Sequence, residues 1–121
     1  MDLKADLWFP QFVFAGYLEN VDRNTLKTIA KEWQAKEPNL AGNSNAGGWH
    51  SRSIENVDLV DPAYVSVLRN FVRELDLAVE YVAKSSGMPQ CKFQNLWINV
   101  NGKGAYHTLH NHQDSLLSGI F

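Results

Sequence analysis

Two stretches of the chain repeat apolar residues at the spacing of an α-helix. Between Asp22 and Lys36 the apolar positions fall three or four residues apart, Asp22 is suited to cap the first turn, and Pro38 stands just past the end. A longer stretch opens with Asp61-Pro62, an N-cap followed by a helix-starting proline, and stops at Gly87. The pattern predicts two helices, the second with a stripe that faces a core. That stripe comprises Tyr64, Leu68, Phe71, Leu75, Val79 and Val82.

Beyond the second helix, apolar and polar residues alternate as they do in β-strands. Residues 93–100 follow this pattern, which predicts one strand, and a glycine-rich turn leads to a second predicted strand at 105–112. Because side chains alternate between the two faces of a strand, the first strand has an apolar face and a more polar one. The apolar face holds Leu96, Ile98 and Val100, and the other holds Asn95, Trp97 and Asn99.

Two further strands are predicted at the ends of the chain. Residues 7–14 are rich in aromatic side chains, and Pro10 places them at an edge or a bulge of a sheet. Residues 116–121 begin a third C-terminal strand. The order of elements predicts one α+β domain, in which residues 1–90 are mainly helical support and residues 91–121 are the first strands of a larger sheet.

Composition restricts the classes of function. A length of 121 residues suits one domain, and a 45% hydrophobic content suits a packed core. The net charge is −2 and basic residues are dispersed, which argues against nucleic-acid binding. There is no long apolar run or secretion signal, so we expect no membrane partner. Cys91 is the only cysteine, which excludes an internal disulfide and indicates a reducing cytoplasm.

Three of the four histidines fall within six residues, close to an aspartate. In an extended segment His110, His112 and Asp114 share a face, and His107 points away and is not expected to bind metal. Imidazoles and a carboxylate are the ligands of non-haem iron sites. Two pairs fit, His110 with His112 or His112 with Asp114, and His50 is the one distant histidine that remains as a third ligand. The alternative is that these are surface or turn histidines with satisfied hydrogen bonds.

Other kinds of catalytic site have less support. Cys91 has no neighbour in sequence that would lower its pKa or act as a base, so a thiol nucleophile is not indicated. Ser115 and Ser118 lie near the histidines without the glycine-flanked turn of a serine nucleophile. The glycine- and asparagine-rich residues 40–48 do not match a phosphate-binding loop and are interpreted as a flexible connector.

Several sequence blocks, taken together, resemble one known family over nearly the whole chain. The blocks are Asn45-Ala-Gly-Gly-Trp-His-Ser51, Asn95-Leu-Trp-Ile-Asn-Val-Asn-Gly102, and His110-Asn-His112 followed by Ser115 and Leu117-Ser-Gly-Ile-Phe121. In order and spacing they are similar to the 2-oxoglutarate-Fe(II) oxygenases of bacteria and their phages. The resemblance implies a double-stranded β-helix (jelly roll) with flanking N-terminal helices. It also implies Fe(II), 2-oxoglutarate and O2, and the hydroxylation of an unknown small molecule or protein side chain.

The resemblance assigns roles to individual residues. His110 and His112 correspond to the first pair of metal ligands, with Asp114 as the alternative carboxylate. Asn99 is the candidate for cofactor binding, because it shares a strand face with Trp97 and a polar residue there needs a partner. Trp97, Trp49 and His50 are the candidates for substrate binding, lining the cavity or covering its mouth. For both tryptophans the alternative is core packing.

The chain departs from the family pattern at two places. Gln113 stands where the family has proline, and the distal histidine and the basic residue that binds 2-oxoglutarate are not present up to Phe121. The sequence therefore predicts an incomplete oxygenase domain that is weakly active or inactive alone. The alternative is a non-catalytic metal-binding or structural jelly-roll remnant whose sheet is completed in a homodimer.

Overall fold

A computed structural model describes residues 13–40 and 44–121 of the chain. In these ranges the protein has an α+β fold with two α-helices and short antiparallel strand pairs. The strand predicted at 7–14 lies outside the described residues except for Val13 and Phe14, and these two are not in a strand.

The first helix, α1, spans Arg23–Lys36 and begins where the capping signal predicts. The Asp22 carboxylate accepts hydrogen bonds from the backbone N–H groups of Asn24 (3.1 Å) and Thr25 (3.0 Å), which have no partner inside the helix. The Thr25 hydroxyl donates to the other carboxylate oxygen at 2.6 Å. The predicted start and end of this helix are confirmed.

The second helix, α2, spans Pro62–Ser86 and is also confirmed. Asp61 accepts a hydrogen bond from the backbone of Ala63 at 3.0 Å. Gly87 has a φ of 70°, the left-handed conformation that ends many helices and that glycine adopts at low cost. Neither helix in the described part of the chain combines the length and the apolar character needed to cross a bilayer.

The core lies where the two helices meet Trp49 and the residues that follow it. Its buried members are Ile29, Trp33, Trp49, Ile54, Val60, Tyr64 and Leu68. The stripe predicted on α2 is therefore buried at Tyr64 and Leu68 but only half-buried further along, and Tyr81 on the same helix is 74% exposed. The N-terminal part of α2 thus contributes most to the core.

Two pairs of two-residue strands lie beside the helices. β1 (Asn45–Ala46) pairs with β4 (Tyr106–His107), and β2 (Trp49–His50) pairs with β3 (Asn99–Val100), both antiparallel. An isolated bridge joins Ile54 to Leu96. As predicted, the apolar face of residues 95–100 (Leu96, Ile98 and Val100) packs on the core.

Three strand predictions are corrected by this arrangement. Residues 93–100 form a strand only at Asn99–Val100, residues 105–112 only at Tyr106–His107, and residues 116–121 form none. A strand exists only where a neighbouring backbone supplies the other half of its hydrogen bonds, and the described residues supply few such neighbours. The described residues form two separate two-stranded sheets, which do not confirm the predicted jelly roll.

Side chains extend the backbone pairing around β2. The buried Ser51 hydroxyl accepts a hydrogen bond from the Ile98 N–H at 2.9 Å, and the Ser51 N–H donates to the Ile98 carbonyl at 2.9 Å. On the opposite edge, the Asn39 side chain donates to the Gly48 carbonyl (3.0 Å) and accepts from the His50 N–H (2.8 Å). β2 is therefore held on both sides, which fixes the position of His50.

Candidate metal centre

Five rings from three separate segments come together and are called here the histidine–tryptophan cluster. Its members are His50, Trp97, His107, His110 and His112. Trp97 stacks with both His50 and His112, with ring centroids 5.8 Å and 5.4 Å away and interplanar angles of 13° and 16°. Its side chain is half-buried.

The rings of His110 and His112 contact each other edge to face. Their ring centroids are 5.0 Å apart and their planes cross at 65°. Imidazoles that bind the same ion through nitrogen at about 2.1 Å have ring centres roughly 5 Å apart at a near-tetrahedral angle. The observed separation is within this range, and it is also that of an ordinary edge-to-face ring pair.

Hydrogen bonding prepares the His110 ring for that role. A carbonyl oxygen only accepts, so the 2.8 Å contact between His110 Nδ1 and the Thr108 carbonyl places a proton on Nδ1. In the neutral ring Nε2 then carries the lone pair, which is how metal-binding histidines are commonly oriented. His112 makes no hydrogen bond through its ring nitrogens among the described residues, and its ring contacts there are with Trp97 and His110.

His107 has a different environment. Its Nδ1 lies 3.3 Å from the Ser44 hydroxyl and its Nε2 lies 3.2 Å from the amide nitrogen of Asn101. Both ring nitrogens are therefore engaged, which suits the non-ligand role expected of this histidine. It tilts against His110 with the centroids 6.3 Å apart.

The prediction that His110, His112 and Asp114 share one face of a strand is wrong. The rings of the two histidines are nevertheless in contact. The chain leaves strand geometry after His107, and Asp114 lies in a turn with a φ of 63°. His110 and His112 meet through ring contacts and the Thr108 anchor, not through alternation along a strand. No group of three potential ligand side chains converges within the ranges 13–40 and 44–121.

Of the other predicted site residues, some lie in the histidine–tryptophan cluster and others do not. Trp49 is 6% exposed and belongs to the core, where its indole N–H donates to the Glu37 carbonyl at 3.1 Å. Its side chain is therefore held away from the cluster surface, whereas His50 is part of the cluster. Asn99 has the partner that its position requires, because its side-chain oxygen accepts from the Asn45 amide at 3.0 Å.

Sequence reasoning missed a group of amides beside the cluster. The Asn45 amide nitrogen donates to Asn99, to Asn101 (2.9 Å) and to the Trp49 carbonyl (3.2 Å). The Asn45 side-chain oxygen is buried and has no hydrogen-bond partner. The available signal was the density of asparagines in the Asn45–Ser51 and Asn95–Gly102 blocks.

The adjacent glycines Gly47 and Gly48 meet different demands. Gly47 has a φ of 77°, and an added Cβ would make only an ordinary 3.7 Å contact, so its backbone angle favours glycine. An added Cβ at Gly48 would overlap with the Asn101 side-chain oxygen and lie 2.5 Å from that of Asn45. A side chain at position 48 would therefore displace the Asn45 and Asn101 amides from their present positions.

Comparison of the chain with protein-family profiles, with curated proteins and with solved structures gave no match. The candidate centre is thus defined by its own geometry. No ion pair or cation–ring contact found in the described residues includes a member of the histidine–tryptophan cluster. Its recorded hydrogen-bond partners are neutral hydroxyl, amide and carbonyl groups.

Proposed function

We propose that His110 and His112 bind Fe(II) and that the protein is a 2-oxoglutarate-dependent dioxygenase-like protein that hydroxylates its substrate. One observation carries the proposal: the three sequence blocks of the resemblance meet in space. His50 and His112, from the first and third blocks, both stack with Trp97 from the second. Asn45 and Asn99, from the first two blocks, are hydrogen-bonded.

The residues present fit part of the required metal site. His110 and His112 supply two nitrogen ligands, and a facial triad needs a third protein ligand that does not converge with them in the described residues. When bound, Fe(II) together with 2-oxoglutarate supplies the capacity to activate O2, with succinate as a product. The chain's own contribution is to hold the imidazoles in place through Trp97 and Thr108, and Asn99 is the candidate contact for 2-oxoglutarate.

The metal assignment is tested by anaerobic calorimetric titration with Fe(II). His110→Ala and His112→Ala are each expected to weaken Fe(II) binding at least tenfold, because each removes one ligand. Asn111→Ala is the matched control, since this exposed residue lies between the two ligands in sequence. Equal affinity in all four proteins would reject the pair as ligands.

Catalysis is tested separately by the Fe(II)-dependent conversion of 2-oxoglutarate to succinate. We expect slow turnover in the unaltered protein and none in His110→Ala or His112→Ala. A folded protein that binds Fe(II) but forms no succinate would reject dioxygenase activity for this chain.

The second candidate function is a non-catalytic metal-binding module. The lack of a third converging ligand among the described side chains favours it. Two histidines with open positions also accept Zn(II) or Ni(II). Tight binding of Zn(II) without 2-oxoglutarate turnover would support this function, and light scattering at increasing protein concentration would show whether the module self-associates.

A further inference from the structure

The segment that contains His110 and His112 is anchored to Ser44, which lies just before β1. The Ser44 carbonyl accepts hydrogen bonds from the Thr108 N–H (2.8 Å) and the Thr108 hydroxyl (3.3 Å). The Thr108 carbonyl in turn accepts from His110 Nδ1 at 2.8 Å. The orientation of the His110 ring therefore depends on where Ser44 lies.

Ser44 is followed by Asn45, whose side chain links three parts of the chain. Its amide nitrogen donates to Asn99 on β3, to Asn101 in the next turn and to the Trp49 carbonyl on β2. Asn101 then reaches His107 through its own amide nitrogen at 3.2 Å. These amides connect the β1–β4 pair with the β2–β3 pair.

Gly48 provides the space in which these amides meet. The side-chain oxygens of Asn45 and Asn101 both approach the position that a Cβ at Gly48 would occupy. This close packing leaves the Asn45 oxygen buried without a donor, which is unfavourable by itself.

We propose that Asn45 and Asn101, packed over Gly48, are positioning residues for the His110–His112 pair. They hold Ser44 and His107, which fix Thr108 and so keep His110 in the tautomer with Nε2 open. This inference rests on the proposed metal site. It adds that the affinity of the site is set by residues that do not touch the metal, as hydrogen-bonding partners of metal ligands do elsewhere.

The test compares Asn101→Ala and Gly48→Ala with Gly102→Ala. Gly102 lies in the same turn as Asn101, has no positive φ, and has nothing within 4 Å of an added Cβ. Titration with Co(II), followed by its visible absorption, is expected to show roughly tenfold weaker binding in the first two variants and unchanged binding in Gly102→Ala.

A second measurement does not depend on metal. Nitrogen-15 NMR of the metal-free protein is expected to show His110 as a single tautomer protonated at Nδ1. In Asn101→Ala and Gly48→Ala the same ring should become a mixture of tautomers, and in Gly102→Ala it should not change. A loss of general stability alone would not move this signal in a protein that remains folded.

The outcomes separate the two proposals. If the unaltered protein binds no Co(II), the metal site is wrong, and the tautomer of His110 still decides whether the amides position the ring. If it binds Co(II) while all three variants keep its affinity and its His110 tautomer, the positioning role is overturned. Should Gly48→Ala not fold, Asn101→Ala decides, because Asn101 is exposed and outside the core.

Discussion

The helix pair and the histidine segment 107–112 are stabilised in different ways. α1 and α2 begin and end at capping residues and bury Ile29, Trp33, Tyr64 and Leu68 between themselves and β2. The histidine segment has only His107 in a strand and is otherwise held by ring contacts, by the hydrogen bonds from Thr108 to the Ser44 carbonyl and by the bond from His110 to the Thr108 carbonyl.

The difference follows from where each element finds its hydrogen-bond partners. A helix satisfies its backbone four residues away, so a local pattern is enough to specify it. A strand depends on a neighbour that is distant in sequence, and the histidine segment finds one only at Asn45–Ala46. We therefore expect the helix pair to control global stability and the histidine segment to control only the local geometry of the site.

The largest expected effect is the loss of a core side chain between the helices. Leu68 is 2% exposed, and Leu68→Ala should lower the free energy of unfolding by about 2–5 kcal/mol because it leaves a cavity. Leu109→Ala, at a fully exposed position of the histidine segment, should change it by less than about 0.5 kcal/mol. Urea unfolding followed by circular dichroism measures both. Equal destabilisation by the two variants would show that the histidine segment contributes to global stability as much as the helix pair does.

An intermediate effect is expected where the two regions join. Ser51→Ala removes the buried hydroxyl that accepts from the half-buried Ile98 N–H, and a donor left unpaired in a buried site costs about 1–3 kcal/mol. Ser118→Ala, at an exposed serine, is the control. The same urea unfolding measurement applies, and hydrogen exchange of the Ile98 amide should accelerate. A neutral Ser51→Ala would mean that Ile98 finds another acceptor.

The smallest effect concerns acid sensitivity at the start of α1. Hydrogen bonds to the Asp22 carboxylate hold its pKa below the ordinary value of 3.8. The largest contribution comes from the Thr25 hydroxyl and the next from the Thr25 backbone N–H. Because the folded pKa is lowered, this contribution to stability is present above pH 3.8 and is lost as the pH falls through the folded pKa.

Thr25→Val tests this contribution. It removes the hydroxyl and should move the Asp22 pKa upward toward 3.8, as measured by carboxyl carbon NMR during titration. Thr28→Val is the control, since the Thr28 hydroxyl donates to the Asn24 carbonyl rather than to Asp22. An unchanged Asp22 pKa in Thr25→Val would show that the backbone caps alone set it.

The sequence was sufficient for the helices because their signals are local. Asp22 and Asp61 mark the starts, Gly87 marks an end, and the structure follows all three. The strands predicted at 105–112 and 116–121 are longer than the structure shows or are not formed. Alternating apolar and polar residues indicate that a segment suits a sheet, but they do not show whether a neighbouring strand is available to pair with it.

The site was predictable only in part. The closeness of His110 and His112 could be inferred from their spacing, although the contact arises from Trp97 and Thr108 instead of a strand face. Asn45 and Asn101 escaped notice because they meet across 56 positions of sequence. Such an amide network has no periodic pattern that a single sequence displays.

Asn39 has a consequence for how copies of the chain behave at high concentration. An uncovered strand edge presents unpaired backbone groups on which another chain can build, and this is a common route to aggregation. On β2 the outward carbonyl of Gly48 and the outward N–H of His50 are both taken by the one amide of Asn39. The Leu40 N–H also donates to the His50 carbonyl at 3.2 Å, so Asn39 and Leu40 together occupy the backbone groups on which another strand could pair at this edge.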